Sequence, residues 1–363
     1  MDVRAVPMDD RTGREVLAVI AKMSWSLDES GQPSIARPLA PVRIFDIYTD
    51  PSKIPAELRP PVRAEARYSS IRYGTDAVEE KPGTDVLLVG TAYPPRGEVT
   101  KTSVSLRVEA GHTTLHKVLT VHGPRVWQSS LTGLVPGPSG RMGPTPLVWE
   151  LAYGGVDETD PQAIVADYRN LSGTGFLERR AGLAGRPAPV IEDPRVPVSS
   201  RSPAPAGFGP ILPHWQPRAG RVGTLDDAWR RERAPLRPLD FDPRHFSCAP
   251  DDQWLSTPLI GDEPIEVLGA TPNGVLRFKL PRYSPIFRST VRGQTWEHAT
   301  HLDTLLIDTD ERRVELVWRC SVRLPRKTEH LERITIFGAE ALPERVVASL
   351  AASVYGAPSA EAS

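Results

Sequence analysis

The stretch Leu302–Val322, LDTLLIDTDERRVELVWRCSV, decides the fold. In its second half Val314, Leu316, Trp318, Cys320 and Val322 fall on one side of an extended chain, while Glu315, Arg319 and Ser321 fall on the other. A two-residue period marks a strand with one buried face, because successive side chains leave a pleated backbone in opposite directions. Leu302–Ile307 before it is a short apolar run, and Asp308–Arg312 between them is polar. Together they read as a β-hairpin.

The same signal recurs outward from there. Asn273-Gly274 joins Ile265–Leu268 to Leu276–Leu280, where Leu276, Phe278 and Leu280 face one way and Arg277 and Lys279 the other. Asn-Gly suits a type I′ turn, since both residues tolerate positive φ. Val19, Ala21, Met23, Trp25 and Leu27 alternate with Lys22, Ser24 and Ser26; Val104, Leu106 and Val108 alternate with Ser103, Ser105 and Arg107. Leu115, Leu119 and Val121 repeat the pattern, with Lys117 breaking it. Asp85–Tyr93 carries Val86, Leu87, Leu88 and Val89, apolar on both faces, and reads as a central strand.

Helices are few. Asp160-Pro161 is expected to open a short one through about Tyr168, and Thr224 to cap a short turn through Trp229 and Arg231. Pro343 starts the best one, with Val346, Val347, Leu350, Ala351 and Val354 as its apolar stripe and Gly356 as its stop. Of the 363 residues 38 are proline, roughly twice the usual share. Proline lacks a backbone donor, so such a chain is built of short strands, rigid turns and long loops. The densest stretch, about 177–223, also holds Ile191, Phe208, Ile211 and Trp215, and reads as a strap laid on the protein or on a partner.

The fold expected is therefore mainly β: two β-sandwich or barrel-like units with long Pro-rich loops. Residues 1–160 form the N-terminal unit, 161–224 the strap with its short helix, and 225–337 the C-terminal unit. Residues 338–356 form the last helix and 357–363 a disordered tail.

Composition narrows the function. Hydrophobic residues make up 39% and charged residues 25%, as in a folded soluble protein, and the formal net charge is −1. No global field draws the chain to nucleic acid or an anionic membrane. Two cysteines, Cys248 and Cys320, are too few for a disulfide scaffold and read as buried thiols in a reducing compartment. No secretory signal and no apolar run of about 20 residues is present, so the expected location is the cytoplasm.

An audit for chemistry finds no phosphate-binding glycine loop and no serine nucleophile elbow. His112 and His116 lie on a strand pattern, about 13 Å apart, too far for one metal ion. Asp240, Asp242, Asp251 and Asp252, with His245 nearby, form the best catalytic candidate, since paired carboxylates serve general acid–base work. Asp240-Phe241-Asp242-Pro243 is also ordinary turn chemistry. His301 and Asp303 share a strand face and read as structural; Asn170-Leu171-Ser172 is a glycosylation sequon without relevance in the cytoplasm. The aromatics are more telling. Phe208, Trp215, Trp229 and Trp254 are the candidate partner contacts, as large rigid rings supply much of the binding energy at interfaces. They serve equally to pin the strap to its own sheet. No catalytic residue, cofactor or metal site is assigned.

Nine segments in order carry a resemblance: DVLLVGTAY (85–93), SVSLRV (103–108), VLTVHGPRVW (118–127), PLVWELAYGGVD (146–157), PVIEDP (189–194), PAGFGPILPHW (205–215), DFDPRHFSCAPDDQ (240–253), GDEP (261–264) and LRFKLPR (276–282). From about residue 10 to 337 the chain resembles a bacterial domain-of-unknown-function family encoded beside type VI secretion genes. The resemblance implies a cytoplasmic, non-catalytic adaptor or chaperone. Its partners would be a toxin effector and the valine-glycine repeat spike protein onto which the effector is loaded. It carries no active-site residues over. The alternatives are a hydrolase, possibly carbohydrate-active, using carboxylates between Asp240 and Asp252, and a structural component of the secretion baseplate.

Overall fold

The computed structural model describes residues 1–59, 69–131, 133–200, 203–323 and 331–337. The strands that position the sites below are, in chain order, β1 (Asp2–Asp9), β2 (Glu15–Leu27), β3 (Pro33–Ile35), β4 (Thr84–Val89), β5 (Lys101–Ala110), β6 (Thr113–His122), β7 (Ile191–Glu192), β8 (Trp254–Leu255), β9 (Pro264–Leu268), β10 (Val275–Lys279), β11 (Ile286–Val291), β12 (Gln294–His298), β13 (Leu302–Asp308), β14 (Arg313–Arg323) and β15 (Leu331–Phe337). Among the described residues one α-helix, α1, spans Asp227–Glu232. The protein is mainly β, as the period-two patterns require.

A seven-stranded sheet runs β1-β2-β14-β13-β4-β8, with β3 beside β2. The founding hairpin is its centre: β13 pairs antiparallel with β14, and β4 lies parallel on the other side of β13. All of β4 is buried, in keeping with its two apolar faces. A five-stranded sheet runs β7-β6-β5-β9-β10 and a three-stranded one β12-β11-β15. Among the described residues all remain open, and none closes into the barrel that is one of the expected forms. The inner faces of both large sheets share one core. Val19, Met23, Leu88, Leu305, Leu316 and Trp318 come from the first, and Val104, Leu106, Leu119, Ile265 and Val267 from the second. Each such side chain contributes about 1.5–3 kcal/mol by leaving water.

The expected boundaries at about 160 and 225 do not separate these sheets. β1, β2 and β4 join β13 and β14 in one, and β5 and β6 join β9 and β10 in the other. The strap belongs to the core as well. Its β7 pairs with β6, and Val190, Val198, Ala206, Ile211 and Leu212 are buried. Two of its main-chain groups bond outside the strap: Ile211 N–H donates to Cys248 O at 2.7 Å and Gln216 N–H to Tyr168 O at 2.8 Å.

Local expectations meet three corrections. After Asp160 no helix forms: its side chain accepts from Gln162 N–H in a turn, and Val165–Asp167 pairs with Gly155–Asp157 as strand. The cap of α1 is Asp226, whose carboxylate accepts from Trp229 N–H at 2.7 Å, and not Thr224. Asn273 has no positive φ; Gly274 N–H closes a turn on Thr271 O around Pro272, whose fixed φ suits an ordinary β-turn. The turn with positive φ at both central residues is Arg292-Gly293, between β11 and β12. The helix expected from Pro343 and the 357–363 tail lie outside the described residues. Cys248 and Cys320 are free and buried, as expected.

The second face of the seven-stranded sheet meets Val42, Arg43, Asp76, Ala77 and Lys81, with Cys248 and Ala249 beside them. Here Lys22 Nζ lies 2.6 Å from Asp76 and 3.0 Å from Glu315, and Arg43 grips Glu315 with both terminal nitrogens at 2.6 and 2.8 Å. Lys81 holds Asp85 at 2.7 Å and Thr304 at 2.8 Å, while Arg319 pairs with Asp303 and donates to the carbonyls of Asp76 and Val78.

Candidate functional site

Lys117 sits on β6 between Leu115 and Leu119, at a position whose phase points inward. It is the one residue that breaks that strand's apolar row. Its stem crosses the layer beneath the strap, and Nζ donates to Gly207 O at 2.7 Å, Asp252 Oδ1 at 2.8 Å and Gln253 Oε1 at 2.8 Å. An ammonium has three donors, and all three are used. Burial pushes the Lys117 pKa down, while Asp252 works to raise it. Gln253 in turn donates to Val86 O at 2.7 Å and Phe208 O at 2.9 Å. One lysine and one glutamine thus tie β6, the strap and the turn before β8 into one corner.

Beside that corner opens a cleft of about 410 Å³, within the size range of ligand pockets. Its walls include Trp149, Pro205, Ala206, Ile211, Pro217 and Pro250, and its rim Arg169, Asp193, Asp251 and Asp252. Trp149 is fixed: its indole N–H donates to Pro210 O at 3.0 Å, and its ring meets Trp215 edge-on at 6.1 Å. The rim charges are engaged by neighbours. Arg169 is bidentate on Asp167, Asp193 binds Arg195, Asp251 binds Arg221 and Arg244, and Asp252 binds Lys117. The hydrogen bond from Arg195 holds the Asp193 pKa below its ordinary value.

The residues singled out by sequence are only partly brought together. Phe208 and Trp215 are fully buried, Trp215 edge-on to Trp149; of the two uses left open for them, contact with a partner or pinning the strap to its own sheet, burial fits the second. Trp229 is half-buried on α1 with its indole donating to Leu236 O at 2.8 Å; Trp254 is half-buried beneath the Arg244 guanidinium at 4.4 Å. Of the acids, Asp240 accepts from Thr224 N–H and hydroxyl, and Asp242 caps the turn at Pro243 by accepting from Arg244 N–H. Only Asp251 and Asp252 reach the cleft. His245 faces Arg218 O at 2.8 Å, and burial lowers its pKa. His116 lies on β6 and His112 in the turn before it; among the described residues no group of three metal-ligating side chains forms. Asp303 is buried against Arg319, as its structural reading required, and Asn170 is fully buried, donating to Trp149 O and Tyr153 O. Sequence reasoning missed Trp149, Arg169 and Asp193 as neighbours, and Lys117 as their hub. The signal was the charge at an apolar phase.

Comparison with curated proteins and with solved structures finds no match. Residues 12–319, which take in the cleft, the strap and most of both large sheets, match the model of the family described as uncharacterized protein conserved in bacteria, DUF2169. The chain belongs to that family.

Proposed function

We propose that this chain is a non-catalytic adaptor that holds a secreted toxin effector in the bacterial cytoplasm and helps to load it onto the valine-glycine repeat spike of a type VI secretion system. The observation that carries the reading is the cleft beside Lys117. It offers Trp149, Ile211 and three prolines as walls, around charges bound to one another. Such a hollow suits the apolar anchor of another protein, which gains by leaving water and strands no charge. A second apolar feature supports it. Ile44, Phe45, Ile47 and Tyr48 are exposed, Phe45 by 80%. Their backbone is held by Thr75, whose N–H donates to Asp46 Oδ1 at 2.7 Å and whose hydroxyl donates to Ile44 O at 2.9 Å. Apolar side chains on a fixed backbone lower the ordering cost of association.

The test is secretion from cells lacking this gene. The adaptor reading expects one effector to stay behind while the spike and other effectors are still exported, and that effector to co-purify with the chain. Loss of all export would make the chain a part of the machine instead. Unchanged export of every effector would overturn the reading.

A further inference from the structure

Three sheet edges contrast. The outer edge of β1 is guarded: Pro7 offers no N–H, Arg4 takes Val3 O at 3.2 Å, and Arg237 takes Asp9 O at 3.0 Å. The outer edge of β10 is guarded too. The turn Asp28–Gln32 lies against it so closely that a Cβ on Gly31 would overlap the Arg277 carbonyl oxygen. Proline, charged caps and covering loops are the ordinary means of blunting an edge.

The edge of β12, QTWEH, carries no proline, and among the described residues no loop or charged side chain bonds to its main chain. The two-residue turn Arg292-Gly293 pairs Val291 with Gln294, so Gln294, Trp296 and His298 turn their main-chain groups toward β11. Thr295 and Glu297 then point theirs outward, and among the described residues nothing bonds to those groups. Trp296 stands opposite Ser289, on the face where Phe287, Ser289, Ile334 and Ile336 are buried. Ser289 is 2% exposed, yet Trp296 is 57% exposed. The core face overhangs at this strand.

We propose that the outer edge of β12 is a strand-acceptor site: an extended segment of a partner protein adds there as a fourth strand, placing a basic residue opposite Glu297, an apolar residue opposite Trp296 and a β-branched residue opposite Thr295. Main-chain bonding to Thr295 and Glu297 supplies the affinity. The apolar residue closes the overhang beside Trp296. The basic residue meets Glu297, whose side chain is more than half exposed and is paired, among the described residues, with Arg288. The inference stands on β12 alone and needs neither the cleft nor a toxin.

The test uses the full chain with the probe acetyl-Ser-Lys-Ile-Thr-Val-Ser-amide, and acetyl-Ser-Lys-Ile-Pro-Val-Ser-amide as control. The probe is expected to slow amide hydrogen exchange at Thr295 and Glu297 by about tenfold, with no slowing by the control. Thr295→Pro removes an outward donor without touching the ladder to β11. It is expected to abolish the slowing at Glu297 with the melting temperature within about 2 °C. Should that variant not fold, Trp296→Ser is expected to weaken the probe by about fivefold. Absence of slowing, equal slowing by the control, or no effect of either substitution would overturn the proposal. So would protection of both amides without probe in step with a doubling of mass, which would assign the edge to a second copy. Any of these failures leaves the adaptor reading untouched, since that is decided by effector export.

Discussion

On one face of the seven-stranded sheet, Val19, Met23, Leu88, Leu305, Leu316 and Trp318 meet the common core. On the other face of the same strands, Lys22, Asp85, Asp303, Glu315 and Arg319 pair with one another or with Arg43, Asp76, Val78 and Lys81, with hardly more access to water. Small apolar islands separate the ion pairs: Ile20, Val42 and Val317 in one, Leu87, Val89, Cys248 and Leu306 in another. Both faces are dry, but they are held differently. Apolar contact is non-directional, so its loss scales with the atoms removed. A buried charge has already lost its hydration, so it depends on its partners being present.

The sharpest way to break that contrast is Glu315→Leu. The substitution leaves Lys22, itself without solvent access, and Arg43 without their shared carboxylate. The expected loss is about 4 kcal/mol in urea unfolding. Replacing Lys22 by Met and Asp76 by Asn in the same chain should restore part of it, because those two charges are then gone while Arg43, with its side chain 9% exposed, is still left without its carboxylate. Leu316→Ala on the other face should cost about 3–4 kcal/mol, and no second deletion should recover it. A triple variant as unstable as the single one would show that the two faces do not differ in kind.

Acid sharpens the contrast. Burial alone would raise the Glu315 pKa, but Lys22 and Arg43 hold it down to about 2 against an ordinary 4.5. A group depressed in the folded state stabilises above its unfolded pKa, and that contribution is lost as pH falls from about 4.5 toward 2. The limit is about 3 kcal/mol. Asp308, whose pKa burial raises although the Tyr73 hydroxyl and Arg72 work against it, acts with the opposite sign and gains as pH falls. Urea unfolding of Glu315→Gln between pH 5 and pH 2.5 should therefore show a flatter decline than the parent chain. An unchanged slope would remove the ionic face from the account of acid sensitivity.

What was legible in the sequence follows the same division. The apolar phase of Val314–Val322 and of Val19–Leu27 names one face of the sheet correctly, because burial against a core is written into each strand's own alternation. A strand with one buried face leaves its polar phase to water, yet Lys22, Ser24 and Glu315 are buried. What covers them comes from residues far away in the chain, and a local period carries no trace of a distant cover. The strap shows the limit from the other side. Phe208 and Trp215 were visible as large aromatics among prolines, but nothing local distinguishes a ring gripping a partner from one sealing the chain's own core. At the cleft, Asp251 and Asp252 were visible as acids, while Lys117 left only an indirect trace: a charge between Leu115 and Leu119 must find acceptors. Its acceptors, Gly207, Asp252 and Gln253, lie 90 or more positions on, beyond the reach of any spacing rule.

The smallest effect is the most discriminating. Lys117 and Asp252 form the same kind of pair as Lys22 and Glu315, but Asp252 is 45% exposed at the cleft rim, while Glu315 has no access to water. In Asp252→Asn the lysine keeps Gly207 O and Gln253 Oε1, and the new amide oxygen still accepts. The cost should be only about 1 kcal/mol. Salt then separates the two sites. Added sodium chloride screens an exposed carboxylate but hardly reaches a buried one, so at about 1 M the Asp252→Asn penalty should largely vanish while the Glu315→Leu penalty persists. If both penalties shrank together, partner count and not access to water would set the strength of these pairs, and the cleft rim would be as rigid a part of the scaffold as the hidden face of the sheet.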